Sequence, residues 1–323
     1  MVAGEELMTL QQALPFQAIQ CPPSRRREAL LQLAAAHDPA QQAALSAAIK
    51  AMYHQPEDHW DGLWITLEAG QLTGAIWVQR LPMNMAQLWL PKTEKKYADA
   101  LLYAARRWVK THNIRLCHVE LLPEAPVSEA LLIEHGMQCL ACLERLTSGR
   151  RERRLAIGEA TPLWLQPFGE LSPPEQLALL AAVGQDSLDS RPLRDVLSIE
   201  ELLAGFYQQD PQAPQHWYAV NYQGAVIGVL LLASHLASGH WELMLMGLTP
   251  KWRGQGLGRS LLNKALALAQ QAGAQEVVLA VDAVNLPAKR LYQQAGFERY
   301  AQQHLLAWKG GVERGCDSSE APK

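Results

Sequence analysis

At 323 residues the chain is long for a single hydrophobic core, so two domains are expected. Hydrophobic residues make up 49% and charged residues 19%, a globular composition, and the net charge of −3 excludes a global attraction to nucleic acid or an anionic membrane. The longest apolar stretch, Val226 to Ala233, is too short to span a bilayer, and the first residues lack the basic start and apolar run of a signal peptide; a cytoplasmic protein is expected.

In chain order, Ser24 to Ala36 reads as a helix with Ser24 as N-cap, and Gln41 to Tyr53 as a second. Leu63 to Leu67 and Ala75 to Gln79 alternate as two strands about a turn holding Gly70 and Gly74, and Met85 to Leu90 is a third strand ending at Pro91. Ala98 to His112 carries apolar residues at helical spacing. Leu116 to Leu121 predicts a strand, Ser128 to His135 a short helix and Gln138 to Leu146 another strand. The charge run Gly149-Arg150-Arg151-Glu152-Arg153-Arg154 has no interleaved aromatics, so it reads as a solvated linker rather than a nucleic-acid contact.

The second half repeats this order. Pro173 to Val183 and Ile199 to Tyr207 predict helices; Trp217 to Tyr222, Val226 to Ala233 and Glu242 to Leu248 predict strands. A helix over Ser260 to Ala272, a strand over Glu276 to Asp282, a helix over Pro287 to Ala295 and a last strand over His304 to Trp308 follow, before a polar tail from Gly310. Pro91 has its counterpart in Pro250, 159 residues later, and Gly136 in Gly296, 160 residues later. The near-constant offset and the shared element order argue for a tandem duplication. The expected class is α/β: two tandem domains over 1–148 and 161–309, each a mixed, mostly antiparallel sheet flanked by helices, joined by a linker over 149–160 and ending in a disordered tail over 310–323.

Only the second half has a glycine-rich strand-to-helix turn, Lys251-Trp252-Arg253-Gly254-Gln255-Gly256-Leu257-Gly258-Arg259-Ser260. Gly254, Gly256 and Gly258 let backbone approach a ligand, and N–H groups at a helix N-terminus suit a phosphate or pyrophosphate. Arg253 and Arg259 add positive charge. The spacing is neither the Gly-x-Gly-x-x-Gly of a dinucleotide fold nor an ATP loop, which ends in Gly-Lys-Ser/Thr.

On these residues the half resembles the GNAT superfamily of N-acetyltransferases. Arg253-x-x-Gly256-x-Gly258 is similar to that superfamily's acetyl-CoA signature. Asn285-Leu286-Pro287-Ala288-Lys289-Arg290-Leu291-Tyr292, followed by Gly296-Phe297, is similar to its Asn-x-x-Ala-x-x-Leu-Tyr element. The resemblance covers Trp217 to Trp308 and extends to tandem members with a weakened first domain. It implies acetyl-CoA as cosubstrate and no metal. The coenzyme would be held by the main chain of Met246, Gly247 and Leu248 on a splayed strand, by the loop Arg253, Gly254, Gln255, Gly256, Leu257, Gly258 and Arg259, and by Asn285 with Tyr292.

The resemblance further implies direct attack by a primary amine in a ternary complex, with Tyr292 as general acid to the departing thiolate. A phenol with a pKa of ~10 is protonated at neutral pH and can serve so. The base candidate is Glu242, on the residues that precede Arg253, where some members place a carboxylate. Strand alternation groups Glu242 with His240, the reserve candidate, and with Met244 and Met246. The acceptor is expected to be a small molecule or peptide, with no nucleic-acid or membrane partner, and the chain a monomer or homodimer. A non-catalytic acetyl-CoA sensor and a transferase of another acyl group are the alternatives.

The first half departs from this pattern. Pro91-Lys92-Thr93-Glu94-Lys95-Lys96-Tyr97-Ala98-Asp99 holds no glycine: Glu94 stands where Arg253 does, Tyr97 where Gly256 does and Asp99 where Gly258 does, while Leu132 replaces Tyr292. This half is expected to keep the fold without the coenzyme. Cys139-Leu140-Ala141-Cys142 has no second cysteine pair at metal-ligand spacing, and five scattered cysteines suit a reducing compartment.

Overall fold

The computed structural model describes residues 16–37, 39–53, 55–149, 163–209, 212, 214–235 and 239–310. The charge run from Arg150 and the tail beyond Gly310 lie outside the described residues. Two compact units result, one from the chain through Cys139 together with the chain from Leu305, the other from Leu140 through His304.

In the first unit, β1 (Ile19–Gln20), β2 (Leu63–Glu68), β3 (Gln71–Leu81), β4 (Met85–Trp89) and β5 (Leu116–Leu121) stand in that order. All neighbours are antiparallel except β4 and β5. Helix α1 (Arg26–Ala35) and α2 (Pro39–Met52) cover one face through Ala29, Leu33 and Leu45 against Ile65 and Trp77. Helix α3 (Lys95–Thr111) covers the other, burying Leu101, Leu102, Ala105 and Trp108 against Ile76 and Val78. Its apolar residues recur every three to four positions, so one stripe meets the sheet. The short α4 (Glu129–Glu134) is capped by Ser128, which accepts from the Leu131 N–H.

The second unit repeats this plan. Its strands are β6 (Gln138–Thr147), β7 (Trp164–Pro167), β8 (Trp217–Tyr222), β9 (Ala225–His235), β10 (His240–Leu248) and β11 (Glu276–Asp282), in the order β6-β11-β10-β9-β8-β7 with β10–β11 the parallel pair. Helices α5 (Pro173–Gly184), α6 (Arg191–Arg194) and α7 (Ile199–Gln209) precede β8. Leu179, Leu180 and Val183 of α5 pack with Phe168 and Trp217. On the opposite face, α8 (Leu257–Gln271) and α9 (Leu286–Gln294) pack Leu261, Leu262, Leu266 and Tyr292 with Trp241 and Leu243.

The last strand of each half departs from the expected division at 148. From Leu140 onward β6 belongs to the second unit, where Leu143–Thr147 pair antiparallel with Asp282–Val278. The end of β12 (Glu298–Lys309), from Leu305, belongs to the first unit beside β5. Alternation reveals a strand but not its partner, so this exchange leaves no trace in the pattern. Three smaller differences have local causes. Ser24 lies in a 3-10 turn over Pro23–Arg25, and α1 starts at Arg26 without a side-chain cap. Prolines 22 and 23 lack the N–H groups a longer entry turn would bond. β7 is four residues long and ends in Pro167, a weak signal that fits an edge strand. β12 begins at Glu298, six residues before the expected start, because its polar first half is only partly buried. No helix among the described residues is long and apolar enough to cross a membrane.

Candidate active site

The site grows from how β10 leaves the sheet. β10 pairs with β9 over its whole length, from His240↔His235 to Leu248↔Gly228. It pairs with β11 only through His240↔Glu276, Trp241↔Val277 and Glu242↔Val278. From Leu243 to Leu248 the main chain facing β11 therefore has no strand partner among the described residues. Open donors and acceptors along such an edge can bond an extended amide-bearing chain as an added strand would. Met246, Gly247 and Leu248 lie on this stretch.

A register shift between Leu243 and Leu245 makes Met244 an extra residue, and this corrects the expected face. A bulge reverses alternation beyond it. Trp241 and Leu243 pack toward α8 before the bulge and Met246 after it, whereas Met244 and Leu245 pack toward α5. Met246 is thus on the face opposite Met244, not grouped with it. Two glycines allow the bulged pair to close up. A Cβ on Gly247 would lie 2.3 Å from Val183 Cγ1, and one on Gly228 would lie 2.4 Å from the Gly247 carbonyl oxygen. Gly228→Ala, which meets backbone, is expected to destabilise the protein by about 1–3 kcal/mol in urea denaturation.

β10 runs into a 3-10 turn over Pro250–Trp252 and then α8, whose N-cap is Gly256. Gly254 has φ +74° and Gly256 φ +80°, with nothing within 4 Å of a Cβ at either, so conformation and not space requires glycine there. Gly258 differs from the expectation: it has no positive φ, and a Cβ would make ordinary contact with Leu291 Cδ2 at 3.6 Å. The N–H groups of Leu257 and Gly258 start the helix, where no preceding turn supplies acceptors. Those of Gly254, Gln255 and Gly256 make no backbone hydrogen bond among the described residues.

Arg253 does not reach toward this row of donors. Its Nε donates to Leu248 O at 2.9 Å, Nη1 to Asp186 O at 3.0 Å, and Nη2 to Val183 O and Gln185 O at 2.8 and 2.7 Å. The guanidinium ties the end of α5 to the end of β10, so its place corrects the expected direct charge on a phosphate. Arg259 is exposed and donates to Gln294 Oε1. Gln255 Nε2 donates to Lys251 O.

Asn285 is the N-cap of α9: its Oδ1 accepts from the Ala288 N–H at 3.2 Å, and its Nδ2 donates to Asp189 Oδ1 at 2.8 Å. Both polar atoms of this side chain are engaged within the protein. Asp189 also accepts from Ser187 Oγ at 3.0 Å, and the neighbouring Ser190 N–H donates to Asp282 Oδ2 at 2.8 Å. Residues 187–190 are thereby strapped to the end of β11 and the start of α9. Tyr292 is buried two turns along α9, edge-on to Phe297 at 5.7 Å. Burial, and then the charge of Asp189, push its phenol above the ordinary range, so it is a protonated donor at neutral pH. Sequence reasoning missed Asp189. Its only signal was the Ser187-x-Asp189 spacing, common to many turns.

Glu242 stands where the two strands begin to part, half-buried, with Oε2 3.2 Å from His235 Nε2. The His240 ring lies tilted against that of His235, 4.6 Å between centroids. Burial first, and the neighbouring His235 second, hold the His240 imidazole below its usual value, so it is neutral at pH 7. A neutral imidazole and a carboxylate at one strand opening can each accept a proton.

The first unit has the same splay, β4 pairing with β5 only through Met85–Gln87, but a filled turn. Tyr97, at the counterpart of Gly256, is buried, packs edge-on to Phe16 at 4.9 Å and donates to Glu68 Oε2 at 2.6 Å. Cys139 and Cys142 lie on β6 and form no disulfide, and Cys142 Sγ accepts from Gln302 Nε2.

Comparison with known proteins agrees with this geometry. A GCN5-related N-acetyltransferase from Sphaerobacter thermophilus superposes with a TM-score of 0.59 at 16% identity, covering 91% of this chain and 95% of that one. A tandem GNAT protein from the clavulanic acid biosynthesis pathway gives 0.51 at 15% identity over 92% and 98%. The fold is therefore that of a tandem GNAT protein. Residues 185–297 match the family model described as Acetyltransferase (GNAT) family, so this stretch of the second half is similar to that family. Mycothiol acetyltransferase of Acidothermus cellulolyticus is 36% identical over 109 residues, 32% of each chain. N-acetylaspartate synthetase of Homo sapiens is 31% identical over 113 residues, 35% of each. The chain spans about a third of the length of these curated relatives.

Proposed function

We propose that the second half transfers an acetyl group from acetyl-CoA to the primary amine of a small molecule, in a ternary complex and without a metal. The observation that carries the reading is the parting of β10 from β11 directly before a two-glycine turn at a helix N-terminus. The open main chain of Met246, Gly247 and Leu248 would pair with the pantetheine arm, and the N–H row from Gly254 to Gly258 would hold the pyrophosphate, the Arg259 N–H being bonded to Gly256 O. Arg253 and Asn285 act by setting the turn and α9 in place. Tyr292 gives its proton to the departing thiolate, and Glu242, with His240 in reserve, takes the proton of the amine. The small-molecule acceptor is supported by the relatives, named for mycothiol and for N-acetylaspartate.

Calorimetric titration with acetyl-CoA tests the binding half of this reading. One molecule per chain is expected, with affinity falling about tenfold or more in Gly256→Val, because a β-branched residue is strained at positive φ. Two molecules per chain, or unchanged affinity in the variant, contradicts it.

A further inference from the structure

Two half-buried side chains at the strand opening, His235 and Glu242, meet through one oxygen, Glu242 Oε2, 3.2 Å from His235 Nε2. A carboxylate only accepts, so Nε2 of His235 carries the hydrogen and donates it. The contact is a diagonal one across the β9–β10 pair. His235 stands directly opposite His240, and Glu242 opposite Ala233, so the imidazole reaches two residues along β10. On the other side Val278 of β11 stands opposite Glu242, so the strand that supplies this donor is β9. The same imidazole lies against His240, and both proton acceptors at the opening therefore touch it.

The duplication supplies an internal control. In the first half Leu81 stands opposite Met85, and Met85 and Gln87 stand opposite Leu116 and His118. In the second half the same ladder reads His235 opposite His240, with His240 and Glu242 opposite Glu276 and Val278. Leu116 and His118 precede Glu276 and Val278 by 160 residues, the spacing that separates Gly136 from Gly296. Leu81, Met85 and Gln87 are therefore the counterparts of His235, His240 and Glu242. The strands pair and then part in both halves, so neither the fold nor the splay requires a histidine bonded to a carboxylate here. The pair stands in the half with the open glycine turn, and its counterparts in the half whose turn Tyr97 fills are leucine and glutamine.

We propose that His235 is a positioning residue for acetyl transfer, holding Glu242 by Oε2 so that Oε1 receives the proton of the acceptor amine. The proposal rests on the reading of Glu242 as the base. As the amine nitrogen bonds to the acetyl carbon it loses one proton to Oε1, the carbon–sulfur bond breaks, and the sulfur leaves with the proton of Tyr292. An untethered glutamate samples several rotamers, and fixing it before the amine arrives removes that ordering from the transfer step. A hydrogen bond to an ionised carboxylate is strong enough to do so.

Coenzyme A release with a panel of small primary amines that includes ethylamine, glycine and glucosamine tests this on the full chain. His235→Leu removes the donor, whereas His235→Gln keeps an N–H donor near the place of Nε2. In His235→Leu kcat is expected to fall about tenfold, with KM for the amine and calorimetric affinity for acetyl-CoA changed by less than about twofold. His235→Gln should stay within about threefold of the unaltered kcat. In a Glu242→Gln background His235→Leu should have no further effect, because residues that act through one another are not additive. Retained affinity for acetyl-CoA shows that each variant is folded. An unchanged kcat in His235→Leu, with Glu242→Gln impaired, overturns the proposal and leaves Glu242 as the base. Equal losses in His235→Leu and His235→Gln make His235 a packing residue and also overturn it. An unchanged kcat in Glu242→Gln removes the base assignment and the proposal together, as does the lack of any amine-dependent release by the unaltered chain.

Discussion

Replacing Tyr292 by Phe is expected to lower kcat for acetyl transfer by about 10²–10⁴-fold, the usual range for removing a general acid. The substitution takes away one hydroxyl and keeps the ring against Phe297, so acetyl-CoA affinity and the thermal midpoint should change little. The buried phenol with Asp189 nearby is raised above the ordinary tyrosine range. Its loss of a proton therefore contributes no alkaline limb to kcat below pH ~10, where exposed tyrosines ionise. A pH profile of kcat checks this. An equal fall in kcat and in coenzyme affinity would instead make Tyr292 a packing residue.

Arg253→Gln is expected to lower the free energy of unfolding by about 2–4 kcal/mol, because charge-assisted bonds to two part-buried carbonyls, those of Leu248 and Val183, are lost together. Acetyl-CoA affinity should fall with it, since the turn is no longer held against the end of α5. Arg253→Lys separates charge from shape. A lysine keeps the charge without the planar fork that reaches four acceptors, so it should recover less than half of the loss. Arg259→Gln, at an exposed side chain, is expected to cost under about 1 kcal/mol. Urea midpoints for the three variants, with unchanged slopes, check the order.

Much of this architecture was legible residue by residue. Trp217 to Tyr222, Leu116 to Leu121 and Glu276 to Asp282 are strands at the expected limits, because their apolar alternation is bounded by turn residues. Gly254 and Gly256 are where a left-handed backbone is needed. The exchange of β6 and β12 was not legible, since pairing partners are set by long-range contacts. The bulge at Met244 was hidden for a related reason: one extra residue flips every later side chain without altering composition. Arg253 was read as a charge for phosphate because its partners are main-chain carbonyls, which side-chain identities do not advertise. Tyr97 shows the opposite case. Its bulk at the counterpart of Gly256 was visible in the sequence, and the structure fills that place with its ring on Phe16.

The central claim, that the second half uses acetyl-CoA to acetylate a small amine through Tyr292, is tested most directly by coenzyme A release. The unaltered chain and Tyr292→Phe are each mixed with acetyl-CoA and a panel of small amines, and free thiol is followed over time. The account predicts release that depends on at least one amine and that drops about 10²-fold or more in the variant. No amine-dependent release despite saturable acetyl-CoA binding, or equal release by both proteins, would contradict it.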